Sequence, residues 1–232
     1  MKSMNSLERC MAVLNGETPD RLPIVPQCFM LAVETAGLKI SDVNRNGRKM
    51  AQAHIISQEK YGYDGCVIDF DDATIAEAVG AKVIYREDEP AIVDEEQPVL
   101  KDLRDVYDMP IPDPASSGRL NEWLEATRTL SEAIGDHVFI MGRADQGPFS
   151  IACLLRGTTQ FMMDLLTEDK QLIDDVLEYC RKISAVFAKA QKDAGAHVTS
   201  IGDAFAGPNL ISPDMYRQFA LIPEQKLAKE VQ

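Results

Sequence analysis

The sequence predicts an α/β fold in which a parallel sheet is covered by helices. Apolar stretches such as Gly65 to Ile68 and His137 to Gly142 lack polar alternation, as strands buried on both faces do. Between them, apolar residues recur at three-four spacing, as in helices with one buried stripe. An internal echo joins the two patterns. Gly135-Asp-His-Val-Phe-Ile-Met-Gly-Arg143 and Gly195-Ala-His-Val-Thr-Ser-Ile-Gly-Asp203 share Gly, His, Val and Gly in register, and each reads as helix stop, strand and polar tip. Such units build either an open doubly wound sheet or a (β/α)8 barrel. No Gly-x-Gly-x-x-Gly follows any strand, which weakens the dinucleotide-binding version of the open sheet.

The elements follow in order. Ser6 to Leu14 is a short amphipathic helix closed by Asn15-Gly16, and Thr18-Pro19-Asp20-Arg21 turns the chain into a first strand, Leu22 to Cys28. A helix from about Arg48 to Lys60 ends at Gly62, and Gly65 to Phe70 is a second strand with acids at its carboxyl end. Ala81 to Tyr85 and Ala91 to Val93 flank a turn and predict a hairpin outside the main sheet. Lys101 to Gly118, with three prolines, predicts a long surface connection. Leu120 to Ile134 is helical, and His137 to Gly142 is a third strand. The longest helix carries the stripe Leu172, Ile173, Val176, Leu177, Cys180, Ile183, Val186, Phe187 and Ala190, stopped by Gly195. His197 to Gly202 is a fourth strand ending in Asp203, and the last helix, Ser212 to Glu230, starts on a Ser cap with Pro213 at its first position.

Composition bounds the function. With 232 residues, 45% of them hydrophobic and 26% charged, the chain makes one globular domain over residues 1–232, able to bury about 70% of its unfolded surface. Thirty-seven acids against 24 bases give a net charge of −13, which argues against nucleic acid and anionic membranes as partners. Five cysteines without close spacing make neither a CxxC half-site nor a disulfide framework, so buried thiols are expected. Met1 to Asn5 lead into Glu8 and Arg9 without an apolar segment, and no run is long enough to span a membrane, so the expected location is the cytoplasm.

Four strand and helix units fill the chain where a complete barrel has eight, and a half barrel leaves sheet edges unpaired. Either the chain is one part of a longer barrel or it pairs with something, a homodimer being the simplest case. In such barrels chemistry sits at the carboxyl ends of the strands. That rule selects Asp69, Asp71 and Asp72 from the second strand, Arg143, Asp145 and Gln146 from the third, and Asp203 from the fourth. Asp71, Asp145 and Asp203 are the expected catalytic acids. Arg143, Gln146, Phe149 and Tyr216 are the expected substrate contacts, with Phe149 and Tyr216 as walls of one shared cavity. His137 and His197, at the opposite strand ends, are expected to be structural, and His54 to be a surface or packing residue. Gly147-Pro148-Phe149-Ser150 opens a helix whose free N–H groups could hold an anion.

The segments Gly147 to Gly157, Phe161-Met-Met-Asp-Leu-Leu166, Gly195 to Asp203, Ile211-Ser-Pro-Asp-Met-Tyr-Arg-Gln-Phe-Ala220 and Glu8 to Pro23 together resemble the uroporphyrinogen decarboxylase (URO-D) superfamily. The resemblance implies a TIM (β/α)8 barrel of which this chain holds about the first four strand-helix units. Two branches of that superfamily compete. One decarboxylates a tetrapyrrole bearing eight carboxylates; the other moves methyl groups between a corrinoid (cobalamin) protein and a thiol such as coenzyme M. The decarboxylase branch has an arginine-rich pattern after the first strand, whereas Gln27 to Gly37 contains no Arg, and its usual Tyr after the Gly-Pro motif is Leu154 here. Asp71, counted back from Gly80, does fall where decarboxylases keep a catalytic carboxylate. The methyltransferase branch is the better match. It implies zinc and a corrinoid for the complete protein, with zinc ligands that fall after Gln232, so no metal is expected on this chain by itself. Its partners are then a small molecule or a corrinoid protein. The third reading is a non-catalytic half barrel.

Overall fold

A computed structural model describes residues 3–232, except for the side chain of Asp145. The chain runs through α1 (Ser6–Leu14), α2 (Phe29–Thr35), α3 (Ile40–Val43), α4 (Gly47–Tyr61), β1 (Gly65–Val67), α5 (Thr74–Ala78) and a hairpin of β2 (Val83–Ile84) and β3 (Ile92–Val93). A 3-10 turn at Leu103–Asp108 leads to α6 (Leu120–Ile134), β4 (Phe139–Gln146), α7 (Pro148–Arg156), α8 (Thr158–Thr167), α9 (Lys170–Asp193) and β5 (Val198–Gly202). The last segment comprises α10 (Pro213–Met215), a π-helical stretch at Tyr216–Ala220 and α11 (Leu221–Val231).

β1, β4 and β5 form one parallel sheet in that spatial order, which is their order in the chain. Gly65 pairs with Phe139 and Val67 with Met141; Met141 pairs with Val198 and Arg143 with Ser200. A register shift between Arg143 and Gln146 bends the carboxyl end of β4, so this strand runs four residues beyond the expected Gly142. The predicted hairpin forms as a separate antiparallel pair.

One expected strand is missing. Leu22 to Cys28 belongs to no ladder among the described residues. Pro23 and Pro26 remove two of the donors a ladder needs, and Ile24 N–H donates to the Asp64 carboxylate at 2.8 Å while its carbonyl accepts from Asp64 N–H at 2.7 Å. The segment is therefore extended, with the Ile24 backbone tied to Asp64 just before β1 and the Gln27 side chain to Asp69 just after it. The Lys101 to Gly118 connection also differs from a plain surface loop, because the 3-10 turn buries Leu103 and Val106 against α9.

Four of the helices begin where a side chain satisfies free N–H groups. Asn5 and Glu8 form a capping box on α1, Asn46 caps α4, Asp169 caps α9 and Ser212 caps α10. Gly195 takes a φ of +102° just after α9, which a side chain would resist, and this turns the chain into β5. The apolar stripe of α9 lies against β4 and α7. Trp123 of α6 stands between Phe70 and Phe187, at ring distances of 5.2 and 5.6 Å, and joins the sheet's carboxyl end to the helical layer.

Of the three histidines, His197 is structural as expected, its Nδ1 accepting from Ile140 N–H at 2.9 Å at the start of the β4 and β5 pair. His54 is buried in α4 with neither ring nitrogen hydrogen-bonded. Burial pulls its pKa from 6.5 down to about 4. A lowered folded-state pKa means stability is full above pH 6.5 and is lost as pH falls through 4, about 3 kcal/mol in all. His54→Leu should flatten the pH dependence of urea unfolding between pH 7 and 4; an unchanged slope would contradict this. Val176 is wholly buried, so Val176→Asp should cost about 3 to 5 kcal/mol in the same assay. Glu178→Ala should cost under about 1 kcal/mol, because Arg181 keeps its ion pair with Glu230.

Candidate active site

Four acids and two arginines gather at the carboxyl ends of β1 and β4, and each has a distinct set of partners. Asp71 follows β1 and carries no exposed side-chain surface. Arg119, at the start of α6, grips it with two bonds of 2.6 and 3.1 Å, and Asp71 also accepts from Ala73 N–H and the Thr74 hydroxyl. The second edge of Arg119 reaches Glu77. Its guanidinium lies 5.1 Å from the ring of Tyr85, which has Arg45 at 4.5 Å and donates its hydroxyl to Glu77. Asp71 is thus fixed as one end of a buried network.

Asp69 is equally buried but incompletely partnered. Its Oδ2 accepts from Gln27 Nε2 at 2.7 Å and from Arg143, while its Oδ1 has no donor. Burial pushes its pKa above the ordinary carboxylate value, against the pull of Arg143. Arg143 also lies 3.6 Å from Asp72, an exposed acid that accepts from Gln146 Nε2 at 2.6 Å. That bond fixes the orientation of the Gln146 amide, because the reverse would set two oxygens together, and it leaves Gln146 Oε1 buried without a donor.

These groups open on a cavity of about 590 Å³ between the strand ends, α2 and the β2–β3 hairpin. Its charged lining is Asp69, Asp71, Asp72, Glu95 and Arg143, and Phe29, Met30, Leu154 and Phe205 supply apolar walls. The size suits a small ligand.

Asp203 stands one strand over. Its carboxylate accepts from the N–H groups of Phe149 and Ser150, at 3.1 and 2.7 Å, and from the Ser150 hydroxyl at 2.5 Å. The anion held at the start of α7 is therefore one of the protein's own. Gly147 is required there, since a Cβ would come within 2.5 Å of the Asp203 carboxylate. Burial raises the Asp203 pKa. Tyr216 donates to Glu224 at 2.5 Å, which pushes the phenol up to about 12, and burial raises Glu224 as well.

The structure brings Asp71 and Arg143 to one cavity with Asp69 and Asp72. It places Asp203 and Tyr216 in the neighbouring cluster, linked to the cavity through Phe205, whose N–H donates to the Ser150 hydroxyl. Phe149 is a correction to the expected wall: it is fully buried, edge-on to Phe161 at 5.5 Å. Gln146 is buried, donates to Asp72 and is not among the residues lining the cavity. Asp145 lies in β4, with its side chain outside the described residues. Gln27, Arg119, Glu95 and Glu224 were not singled out by the sequence. Only Gln27 left a signal, as the polar residue opening the arginine-free segment.

The fold and site are those of an α/β protein with parallel strands and a polar cavity at their carboxyl ends, the place where parallel barrels carry their chemistry. The chain belongs to the uroporphyrinogen decarboxylase (URO-D) family, whose model matches residues 5–232. It is 26% identical over 227 residues to the methylcobamide:CoM methyltransferase MtbA of Methanosarcina mazei, covering 95% of this chain and 64% of that protein. It is 27% identical over 228 residues to MtaA of Methanosarcina barkeri, covering 96% and 66%. A uroporphyrinogen decarboxylase of Hydrogenovibrio crunogenus is 23% identical over 185 residues, covering 78% and 50%. The solved structure of a methyltransferase from Methanosarcina mazei superposes with a TM-score of 0.89 at 26% identity, over 99% of this chain and 68% of that one. The chain thus spans about two thirds of the methyltransferases it matches.

Arg119→Met should strand the buried charge of Asp71 and cost about 3 to 5 kcal/mol in urea unfolding. Adding Asp71→Asn should recover part of that loss, since the amide still accepts from Ala73 and Thr74. If the double variant is as unstable as the sum of the singles, the pair is not coupled as the geometry requires.

Proposed function

We propose that the complete protein transfers a methyl group from a corrinoid to a small thiol, the activity class of the methylcobamide:CoM methyltransferases it resembles. The observation that carries this reading is the charge around the cavity. Arg143 is the one base among the described residues lining it, and it is already paired with Asp69 and Asp72. A tetrapyrrole with eight carboxylates would meet Asp69, Asp72 and Glu95 where it needs guanidinium groups, each absent bond forfeiting about 1.5 to 3 kcal/mol. Leu154 lines the wall where the decarboxylase branch has a Tyr. In this reading Asp69, Arg143 and Asp72 orient the thiol substrate, and Asp71 and Asp203 hold the rim in shape.

The zinc implied by this branch does not fit the described residues. No group of three or more His, Cys, Asp or Glu among them could hold a metal ion. Burial raises the pKa of all five thiols, Cys10 to about 11 and Cys66 to about 12, so none is disposed to ionise. No step is therefore routed through zinc on this chain.

The product of the complete gene, incubated with methylcobalamin and coenzyme M, should demethylate the cobalamin, followed by its visible spectrum. The same protein should leave uroporphyrinogen unchanged. Formation of coproporphyrinogen would overturn the choice of branch.

A further inference from the structure

The chain from the end of β5 into α11 holds two acids with no base to balance them. Asp203 and Glu224 lie within hydrogen-bond reach of each other, and no ion pair joins either to a lysine or arginine among the described residues. Asp203 already accepts from Phe149 N–H, Ser150 N–H and the Ser150 hydroxyl, donors that favour its charged form. Glu224 accepts from the Tyr216 hydroxyl at 2.5 Å. Two partly buried carboxylates in contact repel each other unless one carries a proton and donates it to the other. Of the two, Glu224 has the fewer donors and is the one left to carry it.

The helix geometry brings Glu224 to this place. Pro223 has no N–H to give to the Phe219 carbonyl, and its ring crowds that oxygen. The chain answers with the π-helical stretch Tyr216–Ala220, in which Leu221 N–H reaches back to the Tyr216 carbonyl. Eight residues of regular α-helix would set Tyr216 and Glu224 about 80° apart around the axis. The wider turn takes up that angle and lets them bond. Around the pair, α7 presents Ser150 and Cys153, α9 presents Cys180, and burial holds both thiols neutral. On α11 itself Glu230 is paired with Arg181 and Lys189, and Lys226 acts on Glu178.

We propose that one proton shared by Glu224 and Asp203 clamps α11 to the end of β5, and that its loss as pH rises loosens α11. Burial raises both carboxyl groups above their ordinary values of 4.5 and 3.8. A raised folded value means that the clamp is complete below that ordinary range and is lost as pH rises through the folded one. The cavity shares in the change, because the Ser150 hydroxyl that Asp203 holds accepts from Phe205 N–H, and Phe205 lines the cavity wall. The clamp does not depend on which substrate the cavity takes.

Amide hydrogen exchange between pH 5 and 8.5, corrected for the intrinsic pH dependence of exchange, tests the clamp. Protection of α11 should fall at least about tenfold relative to α6 over that range. Glu224→Gln, whose amide donates to Asp203 and accepts from Tyr216 at every pH, should keep the low-pH protection throughout. Should that variant fail to fold by circular dichroism, the side-chain carboxyl carbon of Glu224 is followed by NMR in the unsubstituted protein and in Tyr216→Phe. It should titrate above 4.5, and higher still in Tyr216→Phe, which lacks the donor that favours the charged form. Protection of α11 that does not change with pH overturns the proposal. An equal fall in Glu224→Gln assigns the proton to another group and overturns it as well, as does a Glu224 carboxyl that titrates at or below 4.5.

Discussion

The buried pair of Arg119 and Asp71 is the interaction on which the rim of this molecule depends. A guanidinium and a carboxylate removed from water must be matched closely in position, because a small displacement leaves a charge uncompensated in a medium of low polarity. That requirement fixes four segments at once. Asp71 belongs to the end of β1, Arg119 to the start of α6, Glu77 to α5, and the Asn44 carbonyl, which also accepts from Arg119, to the turn before α4. Tyr85 extends the arrangement into the hairpin, through its ring beside the Arg45 and Arg119 guanidiniums and by its bond to Glu77. The hairpin forms one wall of the cavity, so the wall's position follows from an ion pair outside it.

The same device recurs with different partners. Asp203 puts its charge on the N–H groups that open α7, which joins the end of β5 to the helix following β4. Asp64, at the opposite end of the sheet, takes Arg9, Arg21, the Ser6 hydroxyl and the Ile24 N–H, and so anchors the amino-terminal segment. Buried acids at both ends of the strands therefore do positional work, each matched by donors from a distant part of the chain. Asp69 is the exception, and an incompletely matched buried acid in a cavity is where ligand chemistry is expected.

How much of this was legible follows from the range of each interaction. The long stripe of α9, the Ser cap of α10 and the Gly195 stop are local patterns, and the sequence displays them directly. Leu22 to Cys28 has the composition of a strand, but its two prolines decide against a ladder. The strand-tip rule found Asp69, Asp71, Asp72, Arg143 and Asp203, since it needs only the strand ends. It could not rank them, because the ranking depends on which acid Arg119 reaches from 48 positions away. Phe149 looked like a wall because it follows the Gly-Pro helix start; the packing of α7 turns it onto Phe161 instead. Arg119 and Glu224 sit on helices with nothing local to mark them.

The division between matched and unmatched acids also governs how losses at the rim should be interpreted. Asp71 is one of the expected catalytic acids, yet its oxygens accept from Arg119, Ala73 and Thr74. Substituting it disturbs α5, α6 and the hairpin wall together, so an effect on activity would carry a structural component that stability measurements expose. Asp69 is hydrogen-bonded by two side chains, Gln27 and Arg143, and its other oxygen is buried without a donor. An effect there without a matching loss of stability belongs to the ligand.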